Sequence, residues 1–172
     1  MRYFVWLLAF VNLMNGTGYL MASALTNSGD WAVVIAGLKP ALAWRAALGA
    51  LGVVTFAASV RWATGVMREW VAHADVALAD VARLTWVPYL AGGLMFALAS
   101  VFNPVGPAMI LTSGVAASLG LTFGLLIVAG GSFSPPVRPS EALPLQRSWS
   151  WIVVGLVVAA LFIGVLGPGV HF

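Results

Sequence analysis

The side chains best suited to chemistry lie in the first apolar segment, in the run NLMNGTGYLMASALTNSGDW from Asn12 to Trp31. Four polar residues of this run share one face of a helix because they are spaced by three, four and four positions: Asn12, Asn15, Tyr19 and Ser23. An amide buried without a hydrogen-bond partner costs about 1 to 3 kcal/mol, so we expect this face to turn toward other helices or a wet cavity. Together with Asp30, the four residues form a candidate groove for a partner helix, a lipid or a small ligand.

Two interpretations of this polar face stay open. Asn and Ser side chains in membrane helices often only hydrogen-bond to neighbouring helices, and each such bond is worth about 0.6 to 2 kcal/mol. The same side chains can contact a substrate, a lipid or a cofactor. Asp30 is equally ambiguous, because its carboxylate can cap a short helix or bind a proton or ligand.

A weaker candidate site combines Glu69, His73 and Asp80, which fall at i, i+4 and i+11 and would share one helix face. A carboxylate and an imidazole one turn apart can hold a divalent metal ion. Arg68 and Arg83 flank the three residues, which favours an ordinary solvated face, and we predict no metal and no other cofactor.

Motifs of the commonest enzyme classes are missing from the sequence. The chain has no cysteine, no H-E-x-x-H, no P-loop and no G-x-S-x-G motif, so an autonomous enzyme is not expected. Eight basic and five acidic residues are spread along the chain without a clustered run, so we predict no nucleic-acid partner.

Composition places these residues in a membrane protein. The chain is 62% hydrophobic and 8% charged, and its mean hydropathy is +1.01. A spanning helix needs about 20 apolar residues, so 172 residues allow a single all-α transmembrane domain, a polytopic helical bundle over residues 1–172. Five spans are predicted, over residues 3–24, 41–62, 84–102, 107–130 and 149–166. A short re-entrant or interfacial helix is predicted over 31–38, and an amphipathic connector over 63–83.

Small residues predict where helices pack closely. The fourth predicted span contains a GxxxG pair, Gly120 and Gly124, and Gly16 and Gly114 add further positions where two backbones can approach. The expected partners are the lipid bilayer and either other membrane subunits or a second copy of this chain.

The basic residues predict the orientation in the membrane. With five spans, Lys39 and Arg45 lie on one side of the membrane. Six arginines lie on the other side: Arg2, Arg61, Arg68, Arg83, Arg138 and Arg147. The positive-inside rule therefore places the N-terminus in the cytoplasm and the C-terminus outside, in a membrane such as the bacterial inner membrane.

The first span imitates a cleavable signal peptide, but Asn12 and Asn15 interrupt its apolar run, and we expect it to be retained.

Three segments carry a family resemblance: N-x-x-N-G-T-G-Y-L with S-G-D-W within residues 12–31, N-P-V-G-P-A-M-I-L-T-S-G-V-A-A-S at 103–118, and L-G-P-G-V at 166–170. They resemble the C-terminal membrane half of site-2-protease-like zinc metallopeptidases and related bacterial membrane proteins. The resemblance implies a membrane scaffold covering most of the chain, with the zinc helix upstream of Met1. No H-E-x-x-H is present and no aspartate follows NPVGP, so no zinc ligand is assigned.

These observations predict a non-catalytic integral membrane subunit or scaffold. The alternative is a small transporter or channel subunit whose pathway follows the same groove, with Asp30 at its mouth. No charge is clearly centred in a predicted span, although coupled transport usually requires one. A further alternative is half of a membrane metallopeptidase-like protein.

Overall fold

The structure is a computed structural model that describes residues 2–72, 78–103, 106, 108, 110–131 and 148–168. Every regular element in these ranges is a helix, which confirms the predicted all-α class. In chain order the helices are α1 Arg2–Thr26, α2 Asp30–Ile35, α3 Ala41–Ala72, α4 Leu78–Val101, α5 Ile110–Gly120, α6 Gly124–Gly131 and α7 Trp149–Leu161. α5 is a π-helix, and α7 continues as a π-helix over Phe162–Leu166.

Three stretches of the described helices are long and apolar enough to cross a membrane: Arg2–Thr26, Ala41–Val71 and Asp80–Val101. They correspond to the first three predicted spans. The fourth and fifth predicted spans fall on shorter apolar stretches, Val115–Gly131 and Trp149–Val165. The helix lengths therefore support three spans, and five spans stay a prediction.

The boundary between the second predicted span and the amphipathic connector differs from the sequence-based expectation. α3 continues without a break from Ala41 to Ala72, because Ala63, Met67 and Val71 keep burying the same side of the helix. The other end of the predicted connector, residues 78–83, forms the first turns of α4. The connector is thus divided between two long helices, and residues 73–77 lie outside the described part of the chain.

The chain forms two compact units, Met1–Met67 and Arg68–Phe172. In the first unit, α1 and α3 pack side by side in opposite directions. A Cβ atom at Gly52 would lie 2.9 Å from the Met21 nitrogen and 3.1 Å from the Thr17 carbonyl oxygen, whereas one at Gly49 would lie 3.4 Å from the Ala24 Cβ. The short α2 closes the end of this pair, where a small apolar cluster forms: Leu20, Ala24, Ile35 and Leu48.

In the second unit, α4 packs against α5 and α6. The Leu119 side chain lies against Gly93 at the α4–α5 contact. The π-helical end of α7 also reaches α4, where the rings of Phe96 and Phe162 lie 5.1 Å apart. The preceding residues of α7 from Trp149 to Val158 are all exposed.

Candidate binding site at the end of the first helix

The structure separates the four residues of the predicted polar face. Asn12 and Asn15 both lie on exposed surface. The Asn12 side-chain amide donates a hydrogen bond to the Leu8 carbonyl one turn earlier, at 2.8 Å, so one of its two N–H donors is satisfied within α1 itself. The Asn15 amide makes no hydrogen bond with any residue that the structure describes.

The described chain leaves Asn12 and Asn15 uncovered, so shelter of this part of the polar face by other helices stays a prediction. Trp6, Phe10 and Met14 form an apolar stripe on α1 and are 4%, 0% and 0% exposed. Each helical residue advances the side chain by about 100°, so Asn12 points about 200° away from Phe10 and Met14. The apolar stripe occupies the inner face of the unit, and the asparagines consequently face outward.

Tyr19, Ser23 and Asp30 do come together, at the loop that joins α1 to α2. The Asp30 backbone N–H donates to the Tyr19 hydroxyl oxygen at 3.0 Å, while the Asp30 side chain is exposed in the first turn of α2. Ser23 is 1% exposed, and its hydroxyl has no hydrogen-bond partner among the described residues. Gly29 lies between them with a left-handed φ of 80°. Of the predicted face, Tyr19 therefore helps to position the loop, and Ser23 is buried beside it.

Sequence reasoning missed the role of Arg45 at this loop. Its Nε and Nη2 atoms donate to the Ala24 carbonyl at 3.1 and 2.8 Å, and Nη2 also donates to the Leu25 carbonyl at 3.1 Å. Carbonyl groups in the last turn of a helix have no partner within the helix, and they carry the negative end of its dipole. Arg45 therefore caps α1 from the first turns of α3, across 21 positions of sequence.

A pocket of about 380 Å³ lies beside this cap. Its walls are the loop residues Asn27, Ser28 and Gly29, apolar residues of α2 such as Ala32 and Ile35, and Arg45, which is the only charged residue of the lining. A cavity of this size is large enough for a small ligand or a lipid headgroup. The arrangement combines one cation and a polar loop with an apolar wall, and it contains no nucleophile with an adjacent base in its lining.

The glycines predicted to mediate packing have different surroundings. Added Cβ atoms at Gly16 and Gly120 would meet no atom within 4 Å, and both residues are exposed. Gly124 is buried at the start of α6. The exposure of Gly114 lies outside what the structure describes. The described chain makes no close contact at Gly16 or Gly120, so packing there against another chain stays a prediction.

Of the three weak metal candidates, the two that the structure describes, Glu69 and Asp80, lie on different helices. Glu69 lies on α3 and Asp80 on α4, because one helix ends at Ala72 and the other begins at Leu78. Asp80 forms an ion pair with Arg83 at 3.2 Å, and His73 lies outside the described residues. Within the ranges that the structure covers, no three histidine, aspartate or glutamate side chains converge as metal ligands would.

Comparison with protein families, with curated proteins and with solved structures finds no match for this chain. The resemblance to site-2-protease-like membrane proteins therefore stays a prediction. The class that the fold defines is an all-helical protein with three helices able to span a membrane.

Proposed function

We propose that this chain is a non-catalytic integral membrane subunit that associates with a second copy of itself through the exposed polar face of α1. The supporting observation is the pair Asn15 and Gly16, which lie side by side on the exposed surface of an apolar helix. The Asn15 amide has no partner in the described chain, and hydrocarbon offers it none. A second helix against this face would satisfy the amide.

A second copy fits this face because an amide is complementary to itself. The Asn side chain carries both a donor and an acceptor, so two copies related by a twofold axis can exchange hydrogen bonds between their Asn15 residues. An added Cβ at Gly16 would meet nothing within 4 Å, which leaves room for the partner backbone. The face therefore offers hydrogen bonding and close approach in adjacent residues.

The proposal includes a five-span topology in a membrane such as the bacterial inner membrane, with the N-terminus in the cytoplasm and the C-terminus outside. Support comes from the apolar character of Val115–Gly131 and Trp149–Val165 and from the exposure of α7. The basic residues also support this topology, because it places six of the eight on the cytoplasmic side.

Self-association of the purified chain tests the assembly. Proteins labelled with donor and acceptor dyes are mixed in liposomes, and energy transfer is measured as the protein-to-lipid ratio is varied. We expect Asn15→Leu to weaken dimerisation about tenfold, since an interhelical hydrogen bond is worth about 0.6 to 2 kcal/mol. We expect Gly16→Leu to weaken it at least as much by blocking close approach.

Gly65→Leu is the matched control, because Gly65 is also exposed on a long apolar helix and a Cβ there meets nothing within 4 Å. This variant should dimerise like the unaltered protein. A chain that stays monomeric at every ratio, or a dimer insensitive to Asn15→Leu, would exclude the proposed interface. A different membrane protein that co-purifies and is lost with Asn15→Leu would replace the second copy as the partner.

A further inference from the structure

We propose that the pocket between the Asn27–Gly29 loop, α2 and Arg45 binds a phosphate group. The site lies within one chain and one compact unit, so it does not depend on the proposed dimer. The phosphate group can belong to a phospholipid headgroup or to free phosphate, and titration with both kinds of ligand distinguishes the two sources.

Arg45 places a positive charge in the lining of the pocket. The side chain is half-buried, and it forms no ion pair with a carboxylate of the described residues. Its Nε and Nη2 donate to the α1 carbonyls, whereas Nη1 donates to no described residue. The guanidinium is therefore held in a fixed orientation with one nitrogen available, and a planar guanidinium suits phosphate oxygens.

Asn27 supplies a second donor on the same pocket wall. Its backbone adopts a left-handed φ of 51°, and its side-chain amide has no hydrogen-bond partner in the described chain. Ser28 is different, because Thr26 donates to the Ala22 carbonyl and so accepts the Ser28 proton across 2.7 Å. Arg45 and Asn27 thus each supply a side-chain group of the pocket lining that can donate to an anion.

The position of the pocket favours a ligand with an apolar part. The pocket adjoins the last turn of α1 and the first turns of α3, where two candidate spans end. Polar lipid headgroups lie at this level of a bilayer. Ala32 and Ile35 line the same pocket as Arg45 and add apolar surface, which can cover the glycerol and upper acyl groups of a phospholipid.

Binding to the full chain in a neutral detergent tests the site. Three probes are titrated: dihexanoyl phosphatidic acid, dihexanoylglycerol, which has the same acyl chains without the phosphate, and inorganic phosphate. Tryptophan fluorescence reports binding, because Trp31 and Trp44 are 40% and 45% exposed in the same unit. We expect saturable binding of phosphatidic acid at one molecule per chain and at least tenfold weaker binding of dihexanoylglycerol.

Asn27→Gly is the decisive variant, because glycine keeps the left-handed backbone and removes only the amide. We expect about tenfold weaker phosphatidic acid binding, as for the loss of a hydrogen bond to a charged group. Arg45→Gln should weaken binding further, but it also uncaps α1, so its thermal unfolding is measured in parallel. Arg61→Gln removes the same charge from the exposed surface of α3 and should bind like the unaltered protein.

The two sources of phosphate give different results. Competition by millimolar inorganic phosphate would assign the site to free phosphate or small phosphate esters, whereas its failure would assign the site to lipid; both results support a phosphate site. Equal binding of dihexanoylglycerol, absence of saturable binding with both phosphate probes, or unchanged affinity in Asn27→Gly would overturn the proposal.

Discussion

Individual side chains, rather than helix propensity, hold the loop between α1 and α2. The Tyr19 hydroxyl accepts the Asp30 N–H, and Arg45 binds the carbonyls of Ala24 and Leu25. The Thr26 hydroxyl donates to the Ala22 carbonyl at 2.8 Å. The Arg45 and Tyr19 bonds satisfy groups that a helix end leaves unpaired, and they help to fix the chain where it passes through the left-handed backbone of Gly29.

Gly29→Ala should destabilise the protein by about 1 to 3 kcal/mol, the usual cost of a strained backbone position. A methyl group there would overlap the Tyr19 hydroxyl and lie 3.4 Å from the Ser23 Oγ, on a backbone with φ of 80°. Thermal unfolding in detergent measures the loss. Gly37→Ala is the control, because a methyl group at Gly37 meets nothing within 4 Å. Equal stability of the two variants would show that the loop tolerates a side chain at position 29.

At the scale of elements, the crossing of α1 and α3 depends on one face of α3. Its buried residues recur every three or four positions, as a helix packed along one side requires: Leu48, Gly52, Phe56, Ser59, Ala63 and Met67. Gly52 lies at the closest approach, where the α1 backbone leaves no room for a side chain. Such close contact stabilises helix pairs in lipid, where packing rather than the hydrophobic effect drives association.

Gly52→Leu should therefore cost about 1 to 3 kcal/mol through overpacking. Even the first added carbon would lie 2.7 Å from the Met21 Cγ and 2.9 Å from the Met21 nitrogen. Resistance to unfolding by sodium dodecyl sulfate in mixed micelles would reveal the change. Gly65→Leu on the exposed face of the same helix should unfold like the unaltered protein, and a similar loss in both variants would argue against the tight crossing.

At the scale of the whole molecule, the number of spans determines on which side of the membrane Ser148 lies. In the five-span topology, residues 131–148 are cytoplasmic and the loop at Ser28 is outside. With only the three long helices crossing, both positions would be outside. The chain has no cysteine, so single-cysteine variants can be labelled without background.

We expect Ser28→Cys to react with a membrane-impermeant maleimide in intact spheroplasts. Ser148→Cys should react only after the membrane is permeabilised, because a charged reagent cannot cross the hydrocarbon core. Labelling yield on a gel is the measurement. Labelling of both variants from outside would indicate three spans, and the reverse pattern would place the N-terminus outside.

The sequence by itself determined the helical class, the apolar character of the long helices and the presence of a short helix after the first of them. These properties depend on local composition and on residues a few positions apart, so they can be inferred without knowing the neighbours. The sequence also identified Tyr19, Ser23 and Asp30 as notable, although not the contacts that they make.

Only the tertiary structure decided which face of α1 is turned inward. A polar stripe and an apolar stripe wind around the same helix, and burying Trp6, Phe10 and Met14 against the unit left Asn12 and Asn15 outside. The same holds for Arg45, whose partner at Ala24 is 21 positions away. Periodicity defines the faces of a helix, but the neighbours that the fold supplies determine which face they cover, and that information is not local.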